Sequence, residues 1–109
     1  YLGFLEGTKK AVYDKQCEAS GAMLSFDIIG GEKEAFKFIN GLKLVKLAVS
    51  LGSTESLIQH PASMTHAGVS QEDKDKLNIT SSLVRLSVCV EHLADLIYDI
   101  EQSLEKVEA

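Results

Sequence analysis

The chain predicts an α+β fold: an open, mainly antiparallel small sheet covered on one face by helices. Three observations carry this reading. Leu83 to Val90 alternates, with Val84, Leu86, Val88 and Val90 on one face and Leu83, Arg85, Ser87 and Cys89 on the other, the period-2 pattern of a strand with one buried side. The closing segment places Leu93, Leu96, Ile97, Ile100, Leu104 and Val107 at helical spacing among Glu, Asp and Gln, the pattern of an amphipathic helix. Gly30-Gly31 and Gly52 each follow an aliphatic run, where a strand ends in a turn. Strands with one apolar and one small or polar face need helices on one side only. At 109 residues the chain suits one domain with one core.

The remaining elements follow in order. Ala22 to Ile29, bounded by Gly21 and the glycine pair, reads as a strand. Ala35, Phe38, Ile39 and Leu42, spaced by Lys33, Glu34, Lys37 and Lys43, predict a helix of about three turns. Leu47 to Leu51 alternates and predicts a second strand; Ser56 to His60 predicts a short third one, stopped at Pro61 because proline lacks the donor that a ladder needs. Ser70 with Asp73 resembles a capping box and opens a short exposed helix that ends near Asn78. Tyr1 opens the chain without a Met or a capped element, which reads as a cut within a longer chain.

Sixteen acids against eleven bases leave a net charge of −5, the wrong sign for tracking phosphates, so nucleic acid is excluded as a partner. No apolar run reaches the ~20 residues that span a bilayer and no signal peptide opens the chain, so neither membrane nor secretion is expected; the expected location is cytoplasmic. Cys17 and Cys89 have no Cys-x-x-Cys spacing and no histidine at ligand spacing. They are expected as buried thiols, with no metal site. Asn78-Ile79-Thr80 matches a glycosylation sequon that short motifs produce by chance.

One residue invites a chemical reading. Arg85 is the single arginine among eleven basic residues and sits in mid-strand, on the face without valines. A planar guanidinium can grip both oxygens of a carboxylate or phosphate at any working pH, whereas the plain alternative is an ion pair with one of the acids. Ser87 and Cys89 share its face, and Ser50 with Ala48 and Gly52 would extend a small, polar floor if the two strands lie close. His60 and His66 are six apart and face no nucleophile, so they read as structural; the acids of the last helix read as a solvated face.

Ser50 to Ala67 (SLGSTESLIQHPASMTHA) and Leu83 to Val88 (LVRLSV) closely resemble the Cys/Met-metabolism family of pyridoxal-phosphate enzymes, the group of cystathionine γ-synthases, cystathionine γ- and β-lyases, methionine γ-lyases and O-acetylhomoserine sulfhydrylases. The resemblance covers nearly the whole chain and is clearest from Met23 onward. It implies the C-terminal domain of a fold-type I enzyme: residues 1–109 form a single small domain of a longer chain, with residues 1–20 a connecting helical segment. It implies that Arg85 holds the α-carboxylate of the amino-acid substrate, that Ser50 helps to position it, and that Thr65 lies at the same pocket. The implied chemistry is elimination or replacement at the γ- or β-carbon of cystathionine, methionine or an O-activated homoserine.

Departures from the family pattern are also legible. Cys89 stands where relatives have Gly, Tyr1-Leu2-Gly3 stands where they read Tyr-Pro-Gly, and Val49 precedes the SLG serine where cystathionine γ-lyases often carry an acid. The family's cofactor-bearing lysine lies in a Ser-x-Thr-Lys stretch of the large domain; Glu6-Gly7-Thr8-Lys9 lacks that serine. The resemblance therefore implies no catalytic and no cofactor-binding residue in this chain, with pyridoxal 5'-phosphate used by the full-length parent. It also implies a homotetrameric parent and a monomeric or weakly oligomeric fragment. The rival expectation is a stable, non-catalytic module that keeps the fold for interaction.

Overall fold

The computed structural model describes residues 1–108. After a 3-10 turn at Leu2–Phe4 come α1 (Gly7–Gln16), β1 (Met23–Asp27), α2 (Glu32–Gly41), β2 (Lys46–Leu47), β3 (Leu57–Gln59), α3 (Gln71–Lys76), β4 (Leu83–Ser87) and α4 (Leu93–Glu108). The four strands form one sheet in the order β1-β4-β3-β2. β4 runs antiparallel to both β1 and β3, and the edge pair β2 and β3 is parallel. The sheet is thus mainly antiparallel, and the fold is the α+β class expected.

Alternation along β4 sorts the two faces. Leu24 and Phe26 of β1, Ile58 of β3 and Val84 and Leu86 of β4 point to one side, where Ala35, Phe38 and Ile39 of α2 and Leu96 of α4 close a continuous apolar core. Phe38 is fully buried and meets Phe26 edge to face at 5.9 Å between centroids, an arrangement that aligns ring edge with ring face. Gly30 turns the chain with φ 122°, a conformation that L side chains rarely adopt, and the N–H of Gly31 donates to the Glu34 carboxylate at 2.9 Å to start α2. Ser70 caps α3 by accepting from the Asp73 N–H, and Asn78 ends that helix at φ 57°.

Several sequence expectations are corrected. The second strand, expected over Leu47 to Leu51, pairs only at Lys46–Leu47; Val49 and Leu51 are exposed beyond a sheet edge that nothing pairs, and Gly52 (φ 76°) turns the chain. The last strand, expected to Val90, stops at Ser87: the final ladder bond runs from Val88 N–H to Ala22 O, and Val90 is 79 % exposed. The expected apolar stripe of α4 is rotated. Leu93, Ile97 and Leu104 face outward, whereas Leu96, Asp99 and Ser103 are buried with Ile100 and Val107 beside the core. Cys17 is exposed and Cys89 partly so, because α1 buries no residue and Cys89 lies just past the strand end; the expectation of two buried thiols fails.

The rotation of α4 has a polar cause. Asp99 is only 3 % exposed, and its carboxylate accepts the backbone N–H groups of Lys43, Leu44 and Val45 at 2.7, 2.8 and 2.9 Å, in the turn that leaves α2. Gln102 donates to Gly41 O at 2.7 Å, and the Ser103 hydroxyl donates to Phe38 O. One turn after another of α4 thus meets backbone groups that the C-terminal end of α2 leaves unpaired. The acids of this helix are therefore not all solvated. Burial pushes the Asp99 carboxyl upward, but the three N–H donors, with Gln102, outweigh it and hold the group below its ordinary range.

Among the described residues, no helix is long and apolar enough to cross a membrane.

Candidate functional site

The face of the sheet opposite the helices carries Arg85. Register places it between Ser25 of β1 and Gln59 of β3, so a long cation stands in mid-sheet flanked by two uncharged polar side chains. Gln59 is buried at 1 % exposure. In the amide orientation that matches donors with acceptors, its side-chain oxygen faces all three guanidinium nitrogens of Arg85, Nε at 2.6 Å, Nη1 at 2.9 Å and Nη2 at 2.5 Å. Arg85 is partly exposed and lines a cavity of about 260 Å³ with Tyr1, Leu2, Met23 and Ser25. The plain alternative for this residue, a surface ion pair, is not formed: every salt bridge among the described residues is made by a lysine. A guanidinium held by a neutral amide keeps its full charge and donors beyond those the amide oxygen uses.

Ser50 and Thr65 stand apart from this. Ser50 is exposed in the segment between β2 and β3, and Thr65 is exposed in the turns after Pro61, where its hydroxyl meets His66 Nδ1 at 2.8 Å. Neither lines the cavity at Arg85, and no hydrogen bond links either to it. His60 is structural, as its spacing implies. It is 1 % exposed, its Nε2 donates to Ser81 O at 2.6 Å, its Nδ1 meets the Ser63 hydroxyl at 2.7 Å, and Phe36 packs on its ring.

Two polar residues escaped the sequence reading. Gln59 is the acceptor for Arg85, yet in sequence it is one polar residue at the end of a short apolar run, and only register brings it beside the arginine. Glu91 precedes α4 and reads as a solvated acid near a helix start. Its two carboxylate oxygens accept from Ser56, one from the backbone N–H at 2.7 Å and the other from the hydroxyl at 2.7 Å. The Ser56 backbone bond first, then its hydroxyl, hold the Glu91 carboxyl below the ordinary range. The Ser56 hydroxyl also accepts from Cys89 N–H at 2.9 Å.

Resident chemistry is sparse. Among the described residues, no group of three or more His, Cys, Asp or Glu is placed to hold a metal. The lysines are exposed apart from Lys74, which is partly buried with its Nζ donating to Ala62 O at 2.9 Å, and none lines the Arg85 cavity. What the geometry defines is a small α+β fold that presents, from a sheet face, one guanidinium held by a neutral amide and without an acid partner among the described residues.

Comparison with known proteins places that domain. Residues 1–105 match the model of the Cys/Met metabolism PLP-dependent enzyme family, and the chain belongs to it. It is 53 % identical over 93 residues to the L-methionine gamma-lyase of Fusobacterium nucleatum subsp. polymorphum, covering 85 % of this chain and 24 % of that protein. It is 40 % identical over 106 residues to the cystathionine gamma-lyase of Dictyostelium discoideum, 97 % of this chain and 27 % of that one. The crystal structure of cystathionine gamma synthase from Xanthomonas oryzae pv. oryzae, in complex with aminoacrylate and cysteine, superposes with a TM-score of 0.91 at 40 % identity, over 99 % of this chain and 28 % of that one. The chain therefore spans about a quarter of the length of the relatives it matches.

Proposed function

We propose that this chain is the C-terminal, substrate-carboxylate-binding domain of a cytoplasmic PLP-dependent enzyme of sulfur amino-acid metabolism, acting by elimination or replacement at the γ- or β-carbon. The observation that carries it is the Arg85 guanidinium: mid-sheet, partly buried, oriented by the Gln59 amide and without a countercharge. Gln59 already holds the guanidinium in place, so a carboxylate arriving at its remaining N–H groups needs little further ordering. Fixing the carboxylate sets which bond to the α-carbon is presented for cleavage, so Arg85 contributes orientation and takes no part in bond making. Ser50 and Thr65 complete the pocket once the rest of the parent packs against this face. The parent supplies PLP and the lysine that carries it; this chain alone binds no cofactor and turns over no substrate.

The test is a hybrid enzyme in which this chain replaces the matching segment of the Fusobacterium nucleatum L-methionine gamma-lyase. Arg85→Ala in that hybrid should lower kcat/KM for L-methionine about a hundredfold, mostly through KM, because a charge-assisted contact to the carboxylate is lost. An unchanged kcat/KM would remove the anchor role.

A further inference from the structure

We propose that Glu91 is a positioning residue for the carboxylate anchor: its carboxylate fixes where the Ser50 segment lies relative to the strand that carries Arg85. The inference rests on the anchor reading of Arg85 and adds a residue that itself touches no substrate. The problem it solves is visible in the fold. Between β2 and β3 the chain leaves the sheet after one last bond, Ala48 N–H to Ile58 O at 3.1 Å, and Val49, Ser50 and Leu51 are exposed. Such a segment has no ladder to hold it, yet it carries a hydroxyl assigned to the substrate.

Its tethers are few and unequal. Lys46 and Glu55 form an ion pair at 3.3 Å whose side chains are 64 % and 54 % exposed, a type of contact that fixes little. The Ser53 hydroxyl accepts from the N–H of Glu55 two residues on, a local turn bond, and the Cys89 thiol reaches Ser53 O. Ser56 differs in kind. It is fully buried, gives both of its donors to one carboxylate and receives Cys89 N–H on the same hydroxyl. Lys46 N–H also donates to Ser56 O at 3.2 Å, so Ser56 is held from β2 by one neutral backbone bond and from the far end of β4 by the two charge-assisted bonds of Glu91, the stronger of the two fastenings.

The fastening joins the right two pieces. Glu91 and Cys89 continue directly from β4, and Leu57, next to Ser56, pairs with Ser87 on that strand. Arg85 lies two residues earlier on the same rigid ladder. The clamp therefore references the Ser50 segment to the strand that holds the guanidinium, and the amide of Gln59 orients that guanidinium from β3. Loss of the clamp lets the hydroxyl drift while the guanidinium stays in place.

The hybrid enzyme described above tests this with Glu91→Gln, whose amide offers one acceptor where two donors need one each, and with Ser56→Ala, which removes only the hydroxyl. Glu91→Gln is expected to raise KM for L-methionine about tenfold while kcat stays within about twofold, since the reacting groups are untouched. Ser56→Ala should shift KM in the same direction by less, and the double variant should match Glu91→Gln alone because both remove one clamp. If Glu91→Gln does not fold, Ser56→Ala carries the reading by itself. Unchanged KM with a lowered Tm would make Glu91 a structural staple and overturn the proposal, as would a loss confined to kcat. Arg85→Ala in the same background separates the two ideas. A wild-type KM there defeats the anchor itself, whereas a raised KM with no effect of the clamp variants defeats only the role of Glu91.

Discussion

Asp99 and Arg85 are both charged residues set against backbone-rich surroundings on opposite sides of the sheet, and they are treated in opposite ways. Asp99 is buried, and every one of its contacts comes from within the chain: three N–H donors and the Gln102 amide. Arg85 is partly exposed, meets one neutral acceptor, and has no acid paired with it. A charge whose valences are filled internally fastens the fold; a charge given one neutral contact and open space keeps donors for something else. The contrast between the two residues can be pressed experimentally.

The largest effect belongs to the helix side. Asp99→Ala leaves three backbone donors without an acceptor and should destabilise the chain by about 3 kcal/mol, read from urea unfolding. The same group gives the chain an acid limb. Its folded pKa is depressed, so its stabilisation is fully present above the ordinary carboxylate value of ~3.9 and is lost as pH falls through the lower folded value. Asp99→Asn should flatten the fall in stability below about pH 4. A variant with the wild-type acid profile would show that some other carboxylate governs that limb.

A smaller effect sharpens the account of how α2 and α4 dock. A Cβ at Gly41 would collide with the Ser103 hydroxyl, so Gly41→Ala should cost about 1–2 kcal/mol as α4 shifts to make room. Thermal unfolding of Gly41→Ala beside Gly41→Ala/Ser103→Gly would check this, with the second change recovering part of the loss. The smallest effect is the most telling for the comparison. Arg85→Met should cost about 1 kcal/mol, well below Asp99→Ala, because no ion pair is broken and only one neutral acceptor, the buried Gln59 amide oxygen, loses its donors. A large loss in the same unfolding assay would move Arg85 into the class of Asp99 and dissolve the contrast.

The elements with local signals were legible in the sequence. Alternation exposed β4, a glycine-bounded run exposed β1, and helical spacing exposed α2 and α4, because those patterns are properties of consecutive residues. The facing of α4 was not legible: apolarity named Leu93, Ile97 and Leu104, but the buried face is decided by Asp99, Gln102 and Ser103 meeting backbone groups more than fifty residues away. Arg85 stood out by being the only arginine in the middle of a strand. Its holder Gln59, and the pairing of Glu91 with Ser56, depend on strand register and on a loop returning to the sheet, which composition and spacing do not encode. The extent of β2 was overread for a related reason, since alternation continues through Leu51 after its partner strand has moved away.

The sheet has two unequal rims. On one, β2 offers two residues and ends beside the Lys46–Glu55 pair, a stub too short and too charged for a foreign strand to extend. On the other, β1 offers five residues, with a negative Asp27 at its far end accepting the hydroxyls of Thr80 and Ser82. Among the described residues, strand addition therefore has its longer landing along Met23–Asp27, and a lysine or proline placed there would oppose it.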